Sequence, residues 1–290
     1  MPRPSILRTF LIAESETPDE RAARRAHAGK SSGETYAATL RQLQPDARIE
    51  IAQPADADTP AMTPEALTGY DAIFLTGSPL HVYDDTPEVR RQIAFMRAVF
   101  ASGTPSFGSC AGLQVATAAA GGTVRAMPNR MEAGIARRIV ATDEGRDHPL
   151  LAGRAATWDA PAIHGDEVET LPEGATRLAG NDVTRVQAVE IRHDKGIFWG
   201  VQYHPELALD EIAVALRRQA ASLVEAGLAR DERDVTDRAD LLDTLHDAPD
   251  SRAVRWLLGV DGELADAAGR RREIMNFIAA LPMLDRRGSR

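Results

Sequence analysis

Cysteine is nearly absent from this chain: Cys110 is the one thiol among 290 residues. A single thiol cannot close an internal disulfide, and a Cys-rich zinc site is excluded. A lone thiol fits a reducing compartment, so the expected location is cytoplasmic. Long apolar runs are missing as well. No stretch approaches the ~18 uninterrupted apolar residues of a membrane span. The opening MPRPSILRTFLIAE holds a short apolar run and no small-residue cleavage site. It reads as a first strand, over residues 6–13, rather than a signal peptide. Basic charge is in deficit, with 34 Lys+Arg against 43 Asp+Glu and a formal net charge of −9. That argues against nucleic-acid binding, which needs a basic surface to displace counterions from phosphates. It argues equally against docking on an anionic membrane. His81, His148 and His193 lack metal-like spacing to any Cys or carboxylate pair, so no metal and no cofactor is expected.

What is present suffices for a core. Hydrophobic residues make up 43% of the chain, and the length fits one large domain with a small appendage. The first half alternates strand-like and helix-like segments. Strands are expected over residues 6–13, 48–52 and 71–76, and a helix over 33–44. Thr86-Pro87 reads as an N-cap with proline at the first helical position. Pro105-Ser106-Phe107 leads through Gly108-Ser109-Cys110 into a small-residue helix. This alternation predicts an α/β fold with a mainly parallel, flavodoxin-like sheet. Short strands are expected over 135–141, 155–163, 175–180, 185–191 and 197–203. A helix follows with Leu209, Ile212, Leu216 and Leu223 on one face, and Gly227 as C-cap. Residues 14–32 read as a long charged loop, and 229–240 as a charged connector. Apolar residues at helical spacing beyond it predict two or three helices, with Trp256 in their core. The Arg270-Arg271-Arg272 run reads as a solvated helix face or an ion pair with Glu273 neighbours. The expected domains are 1–228 and a helical extension, 229–290.

Two segments carry chemistry. Phe107-Gly108-Ser109-Cys110-Ala111-Gly112-Leu113-Gln114 has the form strand, Gly-x-Cys-x-Gly, helix. This is the nucleophile-elbow pattern with cysteine in place of serine. Gly108 and Gly112 let strand and helix approach around a strained turn. The turn presents the sulfur at a helix N-terminus, where unpaired N–H groups favour the thiolate. The Ala111 N–H can donate to a developing oxyanion. Roughly 90 residues later, Gly200-Val201-Gln202-Tyr203-His204-Pro205-Glu206 supplies a base and its orienter. Pro205 stiffens the link, so Glu206 can hold one imidazole nitrogen and leave the other for Cys110. His27-Ala28-Gly29-Lys30-Ser31 lacks the upstream glycine of a phosphate-binding loop, since Arg24 stands there.

Taken together, these motifs resemble the class I, triad-type glutamine amidotransferase domain, with details nearest the glutaminase domain of GMP synthase. The resemblance covers about residues 5–226. Phe74-Leu75-Thr76-Gly77-Ser78-Pro79 with Val82-Tyr83-Asp84 looks like that family's oxyanion loop. Ile163-His164-Gly165-Asp166 with Val168 looks like the segment before its last strands. The chain departs from the family pattern at Ser78, where glycine is common, and at Ala111 and Leu113, where Leu and His are usual. The resemblance implies hydrolysis of the glutamine side-chain amide through a thioester on Cys110. His204, oriented by Glu206, would move the proton, and the Gly77 and Ala111 N–H groups would hold the oxyanion. Ser78, Gln114, His164 and Gly165 would line the glutamine pocket. No Ser-Gly-Gly-Val-Asp-Ser type pyrophosphate loop follows. The implied ammonia acceptor is therefore an ATP-dependent synthetase subunit on another chain, and self-association is left open. Two alternatives stand: a γ-glutamyl hydrolase using the same triad on γ-glutamyl conjugates, and a non-catalytic regulatory module.

Overall fold

The computed structural model describes residues 7–128 and 131–284. Its strands are β1 (Thr9–Ala13), β2 (Arg48–Ala52), β3 (Ala72–Leu75), β4 (Ser106–Ser109), β5 (Thr123–Ala126), β6 (Glu132–Ala141), β7 (Thr157–His164), β8 (Asp166–Thr170), β9 (Ala175–Gly180), β10 (Ala188–His193) and β11 (Gly196–Val201). Its helices are α1 (Pro18–Ala28), α2 (Ser32–Leu43), α3 (Pro64–Leu67), α4 (Pro87–Ser102), α5 (Ala111–Ala119), α6 (Asp143–Arg146), α7 (Leu209–Arg218) and α8 (Ala220–Glu225). The C-terminal part adds α9 (Glu232–Asp247), α10 (Arg252–Leu258), α11 (Gly262–Ala265), α12 (Ala267–Arg270) and α13 (Arg272–Leu284). Residues 6–13 were expected as the first strand; residue 6 lies outside the described residues.

Nine strands form one sheet in the order β2-β1-β3-β4-β11-β10-β9-β6-β7. From β2 to β11 all pairings are parallel, and from β11 to β7 they are antiparallel. The inner parallel strands β1, β3, β4 and β11 are buried on both faces because helices cover both, whereas the edge strand β2 carries Arg48 and Glu50 and is exposed or half-buried along its length. Phe10 and Ile12 join Phe74, Phe107 and Trp199 on one face, while Leu11 and Ala13 join Ile73, Leu75 and Phe198 on the other. The first face is closed by α2 and α13, through Tyr36, Leu40, Phe277 and Leu281. The second is closed by α4 and α5, through Met96, Phe100, Leu113 and Ala116. A third cluster unites α7 with α9 and α10, through Ile212, Leu216, Leu242 and Leu258.

Several segments differ from the sequence reading. Residues 14–32 are not a solvated loop. Thr17 caps α1 in a reciprocal capping box with Glu20, Pro18 sits in the first turn, and Gly29 ends the helix at φ 73°. Ser31 and Glu34 form a second box at the start of α2, so the Gly29-Lys30-Ser31 stretch is a pair of helix caps. Residues 229–240 are mostly helix, since α9 begins at Glu232. Its many charges conceal the buried positions Val235, Ala239 and Leu242. Trp256 is 80% exposed rather than core. Arg270 is buried and donates to the Leu264 and Ala265 carbonyls. Beside it, buried Glu273 accepts a two-pronged hydrogen bond from Arg154. Strands β5 and β8, a separate antiparallel pair, were not anticipated.

Candidate active site

The sheet register assembles the site. Gly108 of β4 lies beside Leu75 of β3 and Gly200 of β11, and Ser109 lies beside Val201. Three parallel strands therefore end together, and the residues just past their C-terminal ends meet there, as in other open α/β sheets. Those residues are Gly77, Cys110 and His204. The long insertion of β5 to β10 between β4 and β11 does not separate them, because β11 returns directly alongside β4.

Cys110 occupies φ 52°, ψ −112°, a strained conformation for a residue with a side chain. Its backbone is pinned at both ends: its N–H donates to the Val201 carbonyl, and its carbonyl accepts from the Gln114 N–H. The two elbow glycines are required by contact. A Cβ on Gly112 would lie 2.6 Å from the Leu75 carbonyl oxygen, and one on Gly108 would lie 3.0 Å from the Gly112 carbonyl carbon. Gly77 is constrained in the same way, since a Cβ there would lie 2.8 Å from His204 Cε1.

His204 and Glu206 are both buried, and His204 Nδ1 lies 2.7 Å from Glu206 Oε1. Burial opposes charge on the imidazole. The Glu206 carboxylate and the hydrogen-bonded Cys110 sulfur overcome it and push the His204 pKa up to about 10. The imidazole is thus held as a cation at neutral pH. One wall behind the elbow is tied by Tyr36, whose hydroxyl meets Ser109 Oγ at 2.8 Å.

These groups open into a cavity of about 650 Å³. Gly77, Ser78, Gln114, His164 and Gly165 line it with Cys110 and His204. Ala111, at the first turn of α5, completes the elbow. Two of the residues expected to touch substrate are already engaged within the protein. Gln114 Nε2 donates to the Asp166 carbonyl and Gln202 Oε1, each at 3.3 Å. His164 Nδ1 lies 2.9 Å from the Asp166 carbonyl, and Nε2 lies 3.1 Å from Glu132 Oε2. Both ring nitrogens of His164 thus already face acceptors within the protein.

Other charged groups surround this site, and of these only Asp166 was singled out in the sequence. Glu132 is a buried hub that accepts from Asn181, Thr184 and Gln187 as well as facing His164. Burial alone would raise its pKa, yet these partners hold it below the usual range. Asp166 receives His81 Nδ1 at 2.7 Å and the Tyr83 hydroxyl at 3.1 Å. Glu16, Arg24 and Glu211, from the first loop, α1 and α7, form the far wall of the cavity. The capping box at Thr17 was the available signal for that wall. Among the described residues, no cluster of three or more His, Cys, Asp or Glu could hold a metal ion, and no helix is long and apolar enough to cross a membrane.

Comparison with known proteins adds to this geometry. The family model for glutamine amidotransferase class-I matches residues 28–220. A gamma-glutamyl-L-1-hydroxyisopropylamide hydrolase from Pseudomonas sp is 42% identical over 223 residues, covering 75% of this chain and 74% of that protein. A GMP synthase (glutamine-hydrolyzing) from Wolinella succinogenes is 37% identical over 141 residues, covering 48% of this chain and only 25% of that protein. Among solved structures, a glutamine amidotransferase from Thermotoga maritima superposes with a TM-score of 0.59 at 16% identity, over 93% of this chain and 98% of that one. One from Methylobacillus flagellatus gives 0.56 at 18% identity, over 94% of each chain.

Proposed function

Because the chain belongs to the class-I glutamine amidotransferase family, we propose that it hydrolyses γ-glutamyl amides through a thioester on Cys110. The observation that carries this reading is the convergence of Cys110, Gly77 and the hydrogen-bonded His204–Glu206 pair at one end of the sheet. The Cys110 sulfur attacks the γ-carbonyl carbon, and its electrons pass to the carbonyl oxygen. The N–H groups of Gly77 and Ala111 hold that oxygen. His204 gives its proton to the departing nitrogen, the C–N bond breaks, and an amine leaves. Water, deprotonated by His204, then attacks the thioester; the C–S bond breaks, glutamate leaves, and the Cys110 thiolate again faces protonated His204. Ser78, Gln114, His164 and Gly165 shape the pocket for the glutamyl part.

The leaving group is proposed to be larger than ammonia. The cavity extends beyond the elbow to α1 and α7. The similarity to a hydrolase of a substituted γ-glutamyl amide spans three quarters of both chains. Glutamine is the second reading, favoured by the similarity to GMP synthases. In that case the ammonia passes to a synthetase on another chain. Glutamate release by the purified chain, from glutamine and from N-substituted γ-glutamyl amides, separates the two. Faster turnover of the substituted amides supports the first reading, and faster turnover of glutamine supports the second. Either release must vanish in Cys110→Ala. Release that persists in that variant would overturn the thioester mechanism.

A further inference from the structure

Gly77 begins a loop, residues 77–84, that leads from the end of β3 toward α4. Gly77, Ser78, Leu80 and His81 of this loop line the cavity. The loop is fixed at its root, where the Thr76 N–H donates to the Ala13 carbonyl at 3.1 Å. Farther along, Val82 packs into the core beside α4 and α5. Its remaining polar bonds are few. Ser78 Oγ accepts from the Leu80 N–H, and the Asp84 N–H donates to the His81 carbonyl, both inside the loop. Among the described residues, every hydrogen bond from residues 78–84 to the rest of the protein ends on Asp166.

Asp166 is buried, and each of its carboxylate oxygens holds one loop side chain. His81 Nδ1 lies 2.7 Å from Oδ2, and the Tyr83 hydroxyl donates to Oδ1 at 3.1 Å. The two rings stack with centroids 5.3 Å apart. Desolvation and the Asp166 charge push the Tyr83 pKa up to about 12, so the phenol stays a donor. The Asp166 carbonyl faces the other way, toward Gln114 Nε2 and His164 Nδ1. One residue thus joins the loop, α5 and the turn from β7 into β8, and all three border the cavity. His81 and Tyr83 are about half exposed. Bonds made by such exposed groups add little to folding stability. They can still fix the position of a loop that has no other polar tie.

Resting on the γ-glutamyl amide reading above, we propose that Asp166 is a positioning residue: through His81 and Tyr83 it holds the 77–84 loop so that the Gly77 N–H faces the oxyanion. An oxyanion donor works by being in place before the charge develops. A misplacement of about 1 Å can cost about a hundredfold in rate. Thioester formation and thioester hydrolysis both pass through an oxyanion, so kcat depends on the loop whichever step is slower. The oxyanion exists only on the way through the transition state, so the effect falls on kcat rather than on KM.

The test measures kcat and KM for glutamine and for γ-glutamylethylamide in the full chain, His81→Ala, Tyr83→Phe, Asp166→Ala and the double variant His81→Ala/Asp166→Ala. Asp166→Ala keeps the backbone carbonyl that faces Gln114 and His164. Alkylation of Cys110 by iodoacetamide, followed by mass spectrometry, is the control, because that reaction forms no oxyanion. Asp166→Ala is expected to lower kcat by about 30-fold, less than the roughly hundredfold or more lost with a whole oxyanion donor. His81→Ala and Tyr83→Phe each remove one of the two bonds and are expected to lower kcat about five- to tenfold. KM and the alkylation rate should stay within about threefold of the parent, and the double variant should match Asp166→Ala, since both changes break the same link. A kcat for Asp166→Ala within about threefold of the parent overturns the assignment and makes the link an ordinary surface pair. So does a parallel fall of kcat and alkylation, which reports general disruption, or a double variant that loses the His81 factor a second time. Each of these leaves the hydrolase reading intact. Absence of Cys110-dependent glutamate release by the parent chain from both substrates overturns both.

Discussion

Replacing Glu206 by glutamine isolates the electrostatic part of the site. Glutamine keeps the shape and can still accept the Nδ1–H, but it removes the charge facing a buried imidazolium 2.7 Å away. Leaving a buried charge without its counter-charge costs about 3–5 kcal/mol. At about 1.36 kcal/mol per pKa unit, the His204 pKa falls by roughly 2–4 units. It starts at about 10, so it arrives at about 6–8. The departing amine needs the His204 proton, so the rate declines once the imidazolium is lost. The alkaline limb of kcat/KM is expected near pH 10 for the parent chain and near pH 6–8, roughly, for Glu206→Gln. The sign for stability follows from a folded pKa raised above the unfolded value. The stabilisation is fully present below about 6.5 and is lost as pH rises through about 10. Denaturant unfolding should therefore show Glu206→Gln least stable relative to the parent on the acidic side. The two should converge at strongly alkaline pH. An alkaline limb that does not move would refute the claim that Glu206 holds the proton on His204.

Other substitutions test the elbow and the core. Cys110→Gly should abolish thioester formation, read by mass spectrometry, yet raise stability by about 1 kcal/mol, because glycine accepts the φ of 52° without strain. Gly112→Ala should cost about 1–3 kcal/mol and lower turnover strongly, since its Cβ meets the backbone of Leu75. A melting curve and a glutamate assay on the same sample check both effects. Phe277→Ala should cost about 3–5 kcal/mol in urea unfolding. Its ring is fully buried and packs within 5.5 Å of Phe74 and Phe107, and 5.9 Å of Trp199. A near-neutral result would mean that the C-terminal helix is dispensable to the main core.

Much of the parallel half of the fold was legible in the chain. Strand β2 falls on residues 48–52 as read, and Thr86-Pro87 starts α4 as read. These signals are local: apolar runs bounded by turns, and cap chemistry at fixed offsets. Where local signals competed, the reading erred. In α1 and α9 dense charge outweighed the capping and spacing signals, although Thr17-Pro18-Asp19-Glu20 spells the capping box in full. Trp256 was taken for core on hydrophobicity alone. Whether a helical residue faces protein or solvent depends on which face the neighbouring helices cover, and no local pattern states that.

By itself the sequence determined the elbow and the His-Pro-Glu turn. Each is a short stretch in which bond geometry and small residues leave the backbone little choice. Tertiary structure alone decided what those stretches meet. Parallel pairing of β4 with β3 on one side and β11 on the other brings Gly77 and His204 to Cys110. Burial then raises the strength of every charge at the site. The folding of α1 against α7 sets Arg24 beside Glu16 and Glu211. Those contacts join residues far apart in the chain, as with Thr35 and Glu211, 176 positions apart. Their energies come from distance and desolvation, which exist only once the chain has closed on itself.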